Sequence, residues 1–268
     1  MELLVSVRSA AEVRPALNGG ADIIDAKEPS RGPLGAVSVD VLADIVARVP
    51  DDRRLSVALG DLTDPDAVIC AVTRFRLPPR PSATYLKLGF AGVPSENRIE
   101  RLIGTAVAAS NETVTSPLIV AVAYADSARA GTVSPDAISR IAAEAGAAGI
   151  LLDTHTKDGL GLLSWIDPAA LERWVAVARA AGMITALAGG LGLEDLERVA
   201  AAGPDVLGVR GAVCEGGREG WVRTERVRAI RQALAAASGS VQVRGRATLK
   251  PVRETRDPGA NSPALRGS

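Results

Sequence analysis

The chain has 268 residues, of which 47% are apolar and 23% are charged, a composition typical of a globular protein with a sizeable core. Its formal net charge is zero, which removes the electrostatic case for a nucleic-acid partner or a membrane-surface partner. The first eight residues lack the basic region and the long apolar stretch of a signal peptide, and no run approaches ~18 consecutive apolar residues. We therefore expect a soluble, cytoplasmic protein.

Short aliphatic runs alternate with longer segments of helical periodicity along most of the chain. The runs predict strands at about 3–8, 21–27, 54–60, 85–90, 117–125, 148–153, 184–189 and 206–210. The longer segments predict helices at about 9–18, 37–49, 64–75, 95–109, 134–146, 168–182, 193–202 and 223–237. Ser9, Ser134 and Asp167 stand where helix-capping side chains are expected.

Eight strand–helix units are the pattern of a (β/α)8 TIM-type barrel, an α/β fold for which ~250 residues is typical. A doubly wound open sheet is the alternative, but no G-x-G-x-x-G dinucleotide motif follows the first strand. We therefore predict a single catalytic barrel domain over residues 1–237.

From residue 238 onwards the composition changes to one rich in Gly, Pro, Ser and Arg, without an apolar period. Six basic residues, Lys250 among them, and two acidic residues give this segment a net charge of +4. We predict a disordered or loosely docked basic tail over residues 238–268. A solvated extension and a contact with anionic partners are the two roles open to it.

Lysine is scarce in this chain, with only 4 lysines among 31 basic residues. Lys27 ends predicted strand 2, Lys87 lies in strand 4 and Lys157 follows strand 6, all even-numbered strands. Alternate strands of such a barrel share layers, and catalytic groups come from the C-terminal strand ends, so we expect three amines at one mouth. A lysine amine can form an imine once burial and neighbouring ammonium groups lower its pKa, and this pattern therefore indicates carbonyl chemistry.

Two carboxylates accompany these amines in the sequence. Asp25 and Lys27 are two residues apart and share a strand face, so Asp25 is expected to transfer protons during imine formation. The alternative is structural: Asp25 pairs with Lys27, and Asp153 with Lys157, as salt bridges of the barrel.

The single histidine, His155, lies between Asp153 and Lys157 and is either a general acid–base group or a structural residue. One histidine and two widely separated cysteines argue against a zinc site. We expect no metal and no other cofactor, with a Mg²⁺ held by carboxylates and phosphate as the alternative. Asp126, at the end of strand 5, is expected to line the mouth.

Glycine-rich segments follow the last two predicted strands. Gly189 and Gly190 come after strand 7, and Arg210 and Gly211 come after strand 8. Barrels of this type often bind phosphate on these two loops, where glycine lets backbone N–H groups approach an anion and arginine adds charge. These four residues are therefore predicted to bind a substrate phosphate, with plain turns as the alternative.

Three segments carry a resemblance to a known family: residues 19–36, Tyr-Leu-Lys87-Leu-Gly, and Leu-Leu-Asp153-Thr-His-Thr-Lys157-Asp-Gly. Together with Leu-Leu-Val-Ser near the N-terminus, they resemble the (5-formylfuran-3-yl)methyl phosphate synthase family over about residues 2–235. The resemblance implies a barrel similar to class I aldolases. It also implies a lyase-type reaction in which two molecules of glyceraldehyde 3-phosphate condense, with loss of one phosphate and water, towards methanofuran-type one-carbon cofactors.

The resemblance also assigns roles to individual residues. Lys27 would form the Schiff base and Lys87 would accept protons, while Asp25, Asp153 and Lys157 would complete the site.

The family's third strand can carry a further lysine, whereas this chain has Arg53 and Arg54 there, which could bind phosphate but could not exchange protons. Two other functions stay open: a class I aldolase acting on another phosphorylated sugar, and a barrel that binds phosphorylated ligands without catalysis. In each case the partner is a small molecule, and self-association is a further expectation.

Overall fold

Eight parallel strands close into a barrel in chain order, with β1 paired to β8, in a computed structural model that describes residues 1–75 and 77–247. They are β1 (Glu2–Val7), β2 (Ile23–Ala26), β3 (Arg54–Asp61), β4 (Thr84–Gly89), β5 (Leu118–Tyr124), β6 (Gly149–Asp153), β7 (Ile184–Leu187) and β8 (Val206–Val209). Two short strands, β9 (Cys214–Glu215) and β10 (Trp221–Val222), pair in an antiparallel manner after β8 and form the β9–β10 hairpin (residues 214–222). The closed parallel order confirms the predicted (β/α)8 barrel over the open doubly wound sheet.

Helices separate the strands. They are α1 (Val13–Gly19), α2 (Val39–Val46), α3 (Pro65–Thr73), α4 (Glu96–Asn111), α5 (Ser127–Ala130), α6 (Pro135–Glu144), α7 (Pro168–Ala180), α8 (Leu196–Ala202) and α9 (Thr224–Ala247). The single turn α5 was not expected from the sequence. Within the described ranges, no helix is long and apolar enough to cross a membrane.

The last helix differs most from its predicted bounds. α9 continues to Ala247, ten residues beyond the predicted end at 237. No proline occurs between 237 and 247, so no residue in that stretch breaks the helical backbone. The predicted basic tail therefore begins inside a helix, and its remaining part, 248–268, lies outside the described residues.

Two of the three expected capping side chains act as predicted. Ser134 and Asp167 accept backbone N–H bonds at 3.3 and 2.9 Å at the starts of α6 and α7. Ser9 makes no capping bond. Instead Glu12, three residues later, is buried and accepts the Arg8 backbone N–H at 2.8 Å, so this turn is held by its carboxylate.

Successive side chains along each barrel strand point to opposite faces, so the strand residues form one apolar layer outside the barrel and another inside it. The outward-facing residues pack under the helices, as Val5 and Leu86 do. The inward-facing residues change character along the strands: Ile23 is followed by Asp25 on β2, and Leu151 by Asp153 on β6. Apolar side chains thus fill the N-terminal half of the interior, and charged side chains stand at its C-terminal half.

Candidate active site

A cavity of about 260 Å³ reaches from the C-terminal ends of the strands into the barrel, close to the lower end of the ~300–1,000 Å³ range of small-molecule sites. Lys27, Lys87 and Lys157 all line it, so the structure brings the three amines together at one mouth, as expected. The lining also includes Asp153, Thr154, Gly189, Gly190, Arg210, Gly211 and Arg218. Asp25 is fully buried and joins this cluster through its contact with Lys87.

Two of the three lysines are ion-paired. Lys87 Nζ lies 2.8 Å from Asp25 Oδ1, and Lys157 Nζ lies 2.8 Å from Asp153 Oδ1. The Ser6 hydroxyl donates to the other Asp25 oxygen at 2.7 Å, so this carboxylate is fixed from two sides. The structural pairing of Asp153 with Lys157 is therefore present, whereas Asp25 pairs with Lys87 and not with Lys27.

Lys27 differs from the other two lysines. Within residues 1–75 and 77–247 it has no ion-pair partner, and it is only 8% exposed. Its backbone N–H donates to the Val7 carbonyl at 2.9 Å, which continues the β1–β2 ladder past the end of β2 and fixes the root of the side chain. The structure thus presents one amine to the cavity without a carboxylate bound to it.

Burial is the main cause that lowers the pKa of Lys27, to about 8. Burial outweighs the carboxylates of Asp153 and Asp25, which raise this pKa, and the ammonium groups of Lys87 and Lys157 lower it further. Both causes expected from the sequence therefore act, and burial is the larger. At pH 7 roughly one Lys27 amine in ten is neutral, and the neutral amine is the form that attacks a carbonyl.

The two buried aspartates remain ionised. Burial alone raises the pKa of Asp25, but Lys87 and then Lys27 outweigh burial and keep the pKa below its ordinary value. The same balance lowers the pKa of Asp153, with Lys157 as the stronger cation and Lys27 as the weaker. At neutral pH both side chains are carboxylates that hold ammonium groups in the cavity.

Replacing Asp153 by asparagine is expected to move the pKa of Lys27 below about 8, since the Asp153 carboxylate raises it. Competitive acetylation followed by mass spectrometry across pH 6–10 would give the midpoint for the Lys27 amine. The control is Asp158→Asn, in the same loop, whose carboxylate pairs with Arg129 at 2.8 Å. This control should leave the midpoint at about 8, and an unchanged or higher midpoint in Asp153→Asn would contradict the electrostatic account.

The loop after β7 packs closely against the loop after β6. Gly189 has φ of +103°, and a Cβ on it would lie 3.0 Å from the Thr154 backbone nitrogen and 3.2 Å from Asp153 Oδ1. The Leu162 N–H donates to the Gly189 carbonyl at 2.7 Å. Packing and backbone conformation therefore account for glycine at this position without any bound anion.

Arg210 lies at the cavity wall, but its guanidinium donates its hydrogen bonds to acceptors of the protein itself. Its guanidinium donates to both Glu12 oxygens, at 2.6 and 3.1 Å, and to the Ser6 carbonyl at 2.9 Å. It also donates to the carbonyls of Arg218 and Gly220, at 3.0 and 2.7 Å. The expectation that this guanidinium binds phosphate does not fit this geometry, because its donors already have acceptors.

A second arginine, Arg218, lines the cavity and was not singled out from the sequence. The signal that could have indicated it is its place in the Gly-rich segment Glu215-Gly-Gly-Arg218 after strand 8. The carboxylate that binds the Arg210 guanidinium belongs to Glu12, 198 positions earlier in the chain, and no local sequence pattern predicts this contact.

The predicted residues around His155 form a support beside the cavity. Asp126 accepts the backbone N–H groups of His155 and Thr156 at 2.6 and 2.9 Å, so it fixes the loop after β6 and does not line the mouth. The His155 ring lies edge-on to Tyr124, with centroids 5.2 Å apart, and the Tyr124 hydroxyl donates to Asp61 at 2.8 Å. This arrangement favours the structural role of His155.

The arginines at the third strand lie at the wrong end of the barrel for a site role. Arg54 begins β3 and pairs with Glu2, which begins β1, so it stands at the N-terminal end of the barrel. Arg53 precedes it and is half-exposed. Neither takes the place of a lysine at the mouth. In the part of the chain that the structure describes, no group of three or more His, Cys, Asp or Glu side chains is placed to hold a metal.

The family profile and the two relatives described below indicate the same family. A sequence profile described as 4-HFC-P synthase matches residues 3–231. The chain is 35% identical over 236 residues to the (5-formylfuran-3-yl)methyl phosphate synthase of Methanothermobacter thermautotrophicus, covering 87% of this chain and 99% of the relative. It is 36% identical to the protein of the same name from Methanopyrus kandleri, covering 87% and 98%.

Solved structures agree on the fold. A 3-hexulose-6-phosphate synthase from Salmonella typhimurium has a TM-score of 0.60 at 17% identity, covering 88% of this chain and all of that one. A phosphoribosyl anthranilate isomerase from Thermus thermophilus has a TM-score of 0.57 at 18% identity, covering 88% and 99%. At these identities the likeness establishes the barrel architecture alone.

Proposed function

Since the chain belongs to the (5-formylfuran-3-yl)methyl phosphate synthase family, we propose that it condenses two molecules of glyceraldehyde 3-phosphate through a Schiff base on Lys27. The observation that carries the proposal is the Lys27 amine, which is buried, has a pKa of about 8 and is the unpaired one of the three cavity lysines. The product is (5-formylfuran-3-yl)methyl phosphate, formed with loss of phosphate and water and used as the furan precursor of methanofuran-type cofactors.

The first part of the reaction makes one triose phosphate nucleophilic at carbon. The neutral Lys27 amine attacks its carbonyl carbon, and loss of water from the carbinolamine gives an imine. Loss of a proton from the adjacent carbon then gives an enamine, which adds to the aldehyde of the second triose phosphate. Elimination of one phosphate and two molecules of water completes the furan ring, and hydrolysis of the imine regenerates Lys27.

The ion pairs supply the proton transfers that these steps require. Lys87, held by Asp25, and Lys157, held by Asp153, place two N–H donors at the cavity wall beside Lys27. A bound carboxylate keeps each ammonium group in position while it exchanges protons with carbon or with a leaving oxygen. Lys87 is the proposed proton acceptor: its ammonium group first donates a proton to the leaving oxygen of the carbinolamine, and the neutral amine that remains accepts the proton lost from carbon, while Asp25 positions it.

Trapping and product analysis together test this function. Incubation with glyceraldehyde 3-phosphate and then borohydride should add the mass of a reduced triose phosphate adduct to the Lys27 peptide. One inorganic phosphate should appear for every two triose phosphates consumed, together with the furan aldehyde. An adduct on Lys27 without phosphate release would indicate an aldolase of another type. The absence of an adduct on any lysine would refute the imine and favour a binding protein.

A further inference from the structure

Arg218 bridges two loops across the mouth of the barrel. It lies in the β9–β10 hairpin and lines the cavity. Its guanidinium reaches the loop after β2, where Nη2 donates to the Gly32 carbonyl at 2.6 Å. A single side chain thus connects the last loop of the barrel with the loop that follows Lys27.

The charge on Arg218 has no direct counter-ion. Lys87, Lys157 and Arg210 each contact a carboxylate within the cluster. Among the described residues no carboxylate forms an ion pair with Arg218, and its donor to Gly32 is the one side-chain hydrogen bond that it makes. A guanidinium carries five N–H donors, so most of them are left for a ligand.

The backbone places Arg218 directly over the end of β8. A Cβ on Gly211 would lie 3.8 Å from the Arg218 nitrogen and 3.9 Å from its Cα, so the two segments are in contact. The Arg218 carbonyl accepts the Arg210 Nε–H at 3.0 Å. Arg210 therefore helps to fix the backbone of Arg218, and of these two cavity-lining arginines Arg218 is the one with free N–H donors.

We propose that Arg218 is the cation that binds a phosphate monoester group of the substrate. A guanidinium offers phosphate two parallel N–H donors, and this site has a cation without a direct ion pair and with free donors for that contact. The identity of the ester as a triose phosphate rests on the proposed function. The binding of phosphate by Arg218 does not depend on imine formation.

Glycerol 3-phosphate is a suitable probe, because it has the three-carbon skeleton and the phosphate but no carbonyl to react with Lys27. Calorimetric titration should show binding to the unchanged protein and ~10–100-fold weaker binding to Arg218→Gln, the usual loss for a charge-assisted hydrogen bond. Glutamine keeps an N–H donor for Gly32 while it removes the charge. Arg218→Lys should retain more affinity than Arg218→Gln, since it keeps the charge.

The matched control is Arg223→Gln, which changes an exposed arginine that directly follows the β9–β10 hairpin and pairs with Glu215 in it, and this variant should bind as the unchanged protein does. Equal affinity for the probe in Arg218→Gln and in the control would overturn the proposal and leave Arg218 as a loop tether. Phenylglyoxal modification of the unchanged protein gives an independent measurement: glycerol 3-phosphate should protect Arg218 and leave Arg223 reactive. Modification of Arg218 at an unaltered rate would likewise overturn the proposal.

These results separate the inference from the function. If trapping finds no imine while probe binding still requires Arg218, the catalytic proposal fails and the phosphate site stands. If the imine forms but glycerol 3-phosphate binds equally well to Arg218→Gln, the catalytic proposal stands and the phosphate-site proposal fails.

Discussion

Replacing Lys27 by arginine is expected to abolish both the borohydride-trapped adduct and turnover, with kcat/KM falling on the order of 10⁴-fold or more. Arginine keeps a positive charge near Asp25 and Asp153, but it does not deprotonate near neutral pH and cannot form an imine. Lys27→Met should be equally inactive, although it removes the charge, because the missing function is the amine itself. Steady-state rates and mass spectrometry of the trapped protein would measure the loss.

The control for this prediction is Lys250→Arg, the same chemical change outside the region that matches the family. It should turn over as the unchanged protein does. Thermal unfolding of each variant would show whether the fold is intact. A folded Lys27→Arg protein that kept more than about a tenth of the activity would rule out an essential imine at this position.

Replacing Arg210 by methionine is expected to lower the free energy of unfolding by ~3–5 kcal/mol, because it leaves the buried Glu12 carboxylate without its cation. Arg210 is 6% exposed and Glu12 is 1% exposed, so water cannot replace the lost contact. For a protein of this size that loss corresponds to a fall in Tm of roughly 6–20 °C. Urea and thermal unfolding would measure the change.

Two further variants make this result specific. Arg223→Gln breaks an exposed pair with Glu215, and surface pairs contribute only ~0–1 kcal/mol. The double variant Glu12→Leu with Arg210→Met removes both buried charges and should recover much of the lost stability. If Arg210→Met lowered the free energy of unfolding no more than Arg223→Gln does, the buried pair would contribute no more to stability than a surface pair.

The barrel architecture and the convergence of the three lysine amines could be predicted from the sequence, because both depend on local periodicity. Apolar runs of strand length, separated by helical segments, indicated eight units, and strand parity put Lys27, Lys87 and Lys157 at one mouth. The end of α9 could not be predicted, because the Ser- and Gly-containing stretch after residue 237 has no apolar period. That stretch is nevertheless helical to Ala247.

The ionic partners were harder to predict, because they depend on distances across the barrel. Asp25 and Lys27 share a strand face, yet residues two apart are separated by ~6.6 Å along a strand. Lys87, reaching from β4, comes within 2.8 Å of Asp25 instead. The same limitation applies to Arg210, whose acceptor Glu12 belongs to the opposite end of the chain.

The contact between Arg210 and Glu12 also bears on how the chain is made. Glu12 is synthesised nearly two hundred residues before its partner Arg210. The strand β1 is likewise synthesised about two hundred residues before β8, with which it pairs. Closing so large a loop carries a high entropic cost and slows folding. During synthesis the first turn therefore holds a carboxylate without its cation, and the barrel closes only after β8 has been synthesised.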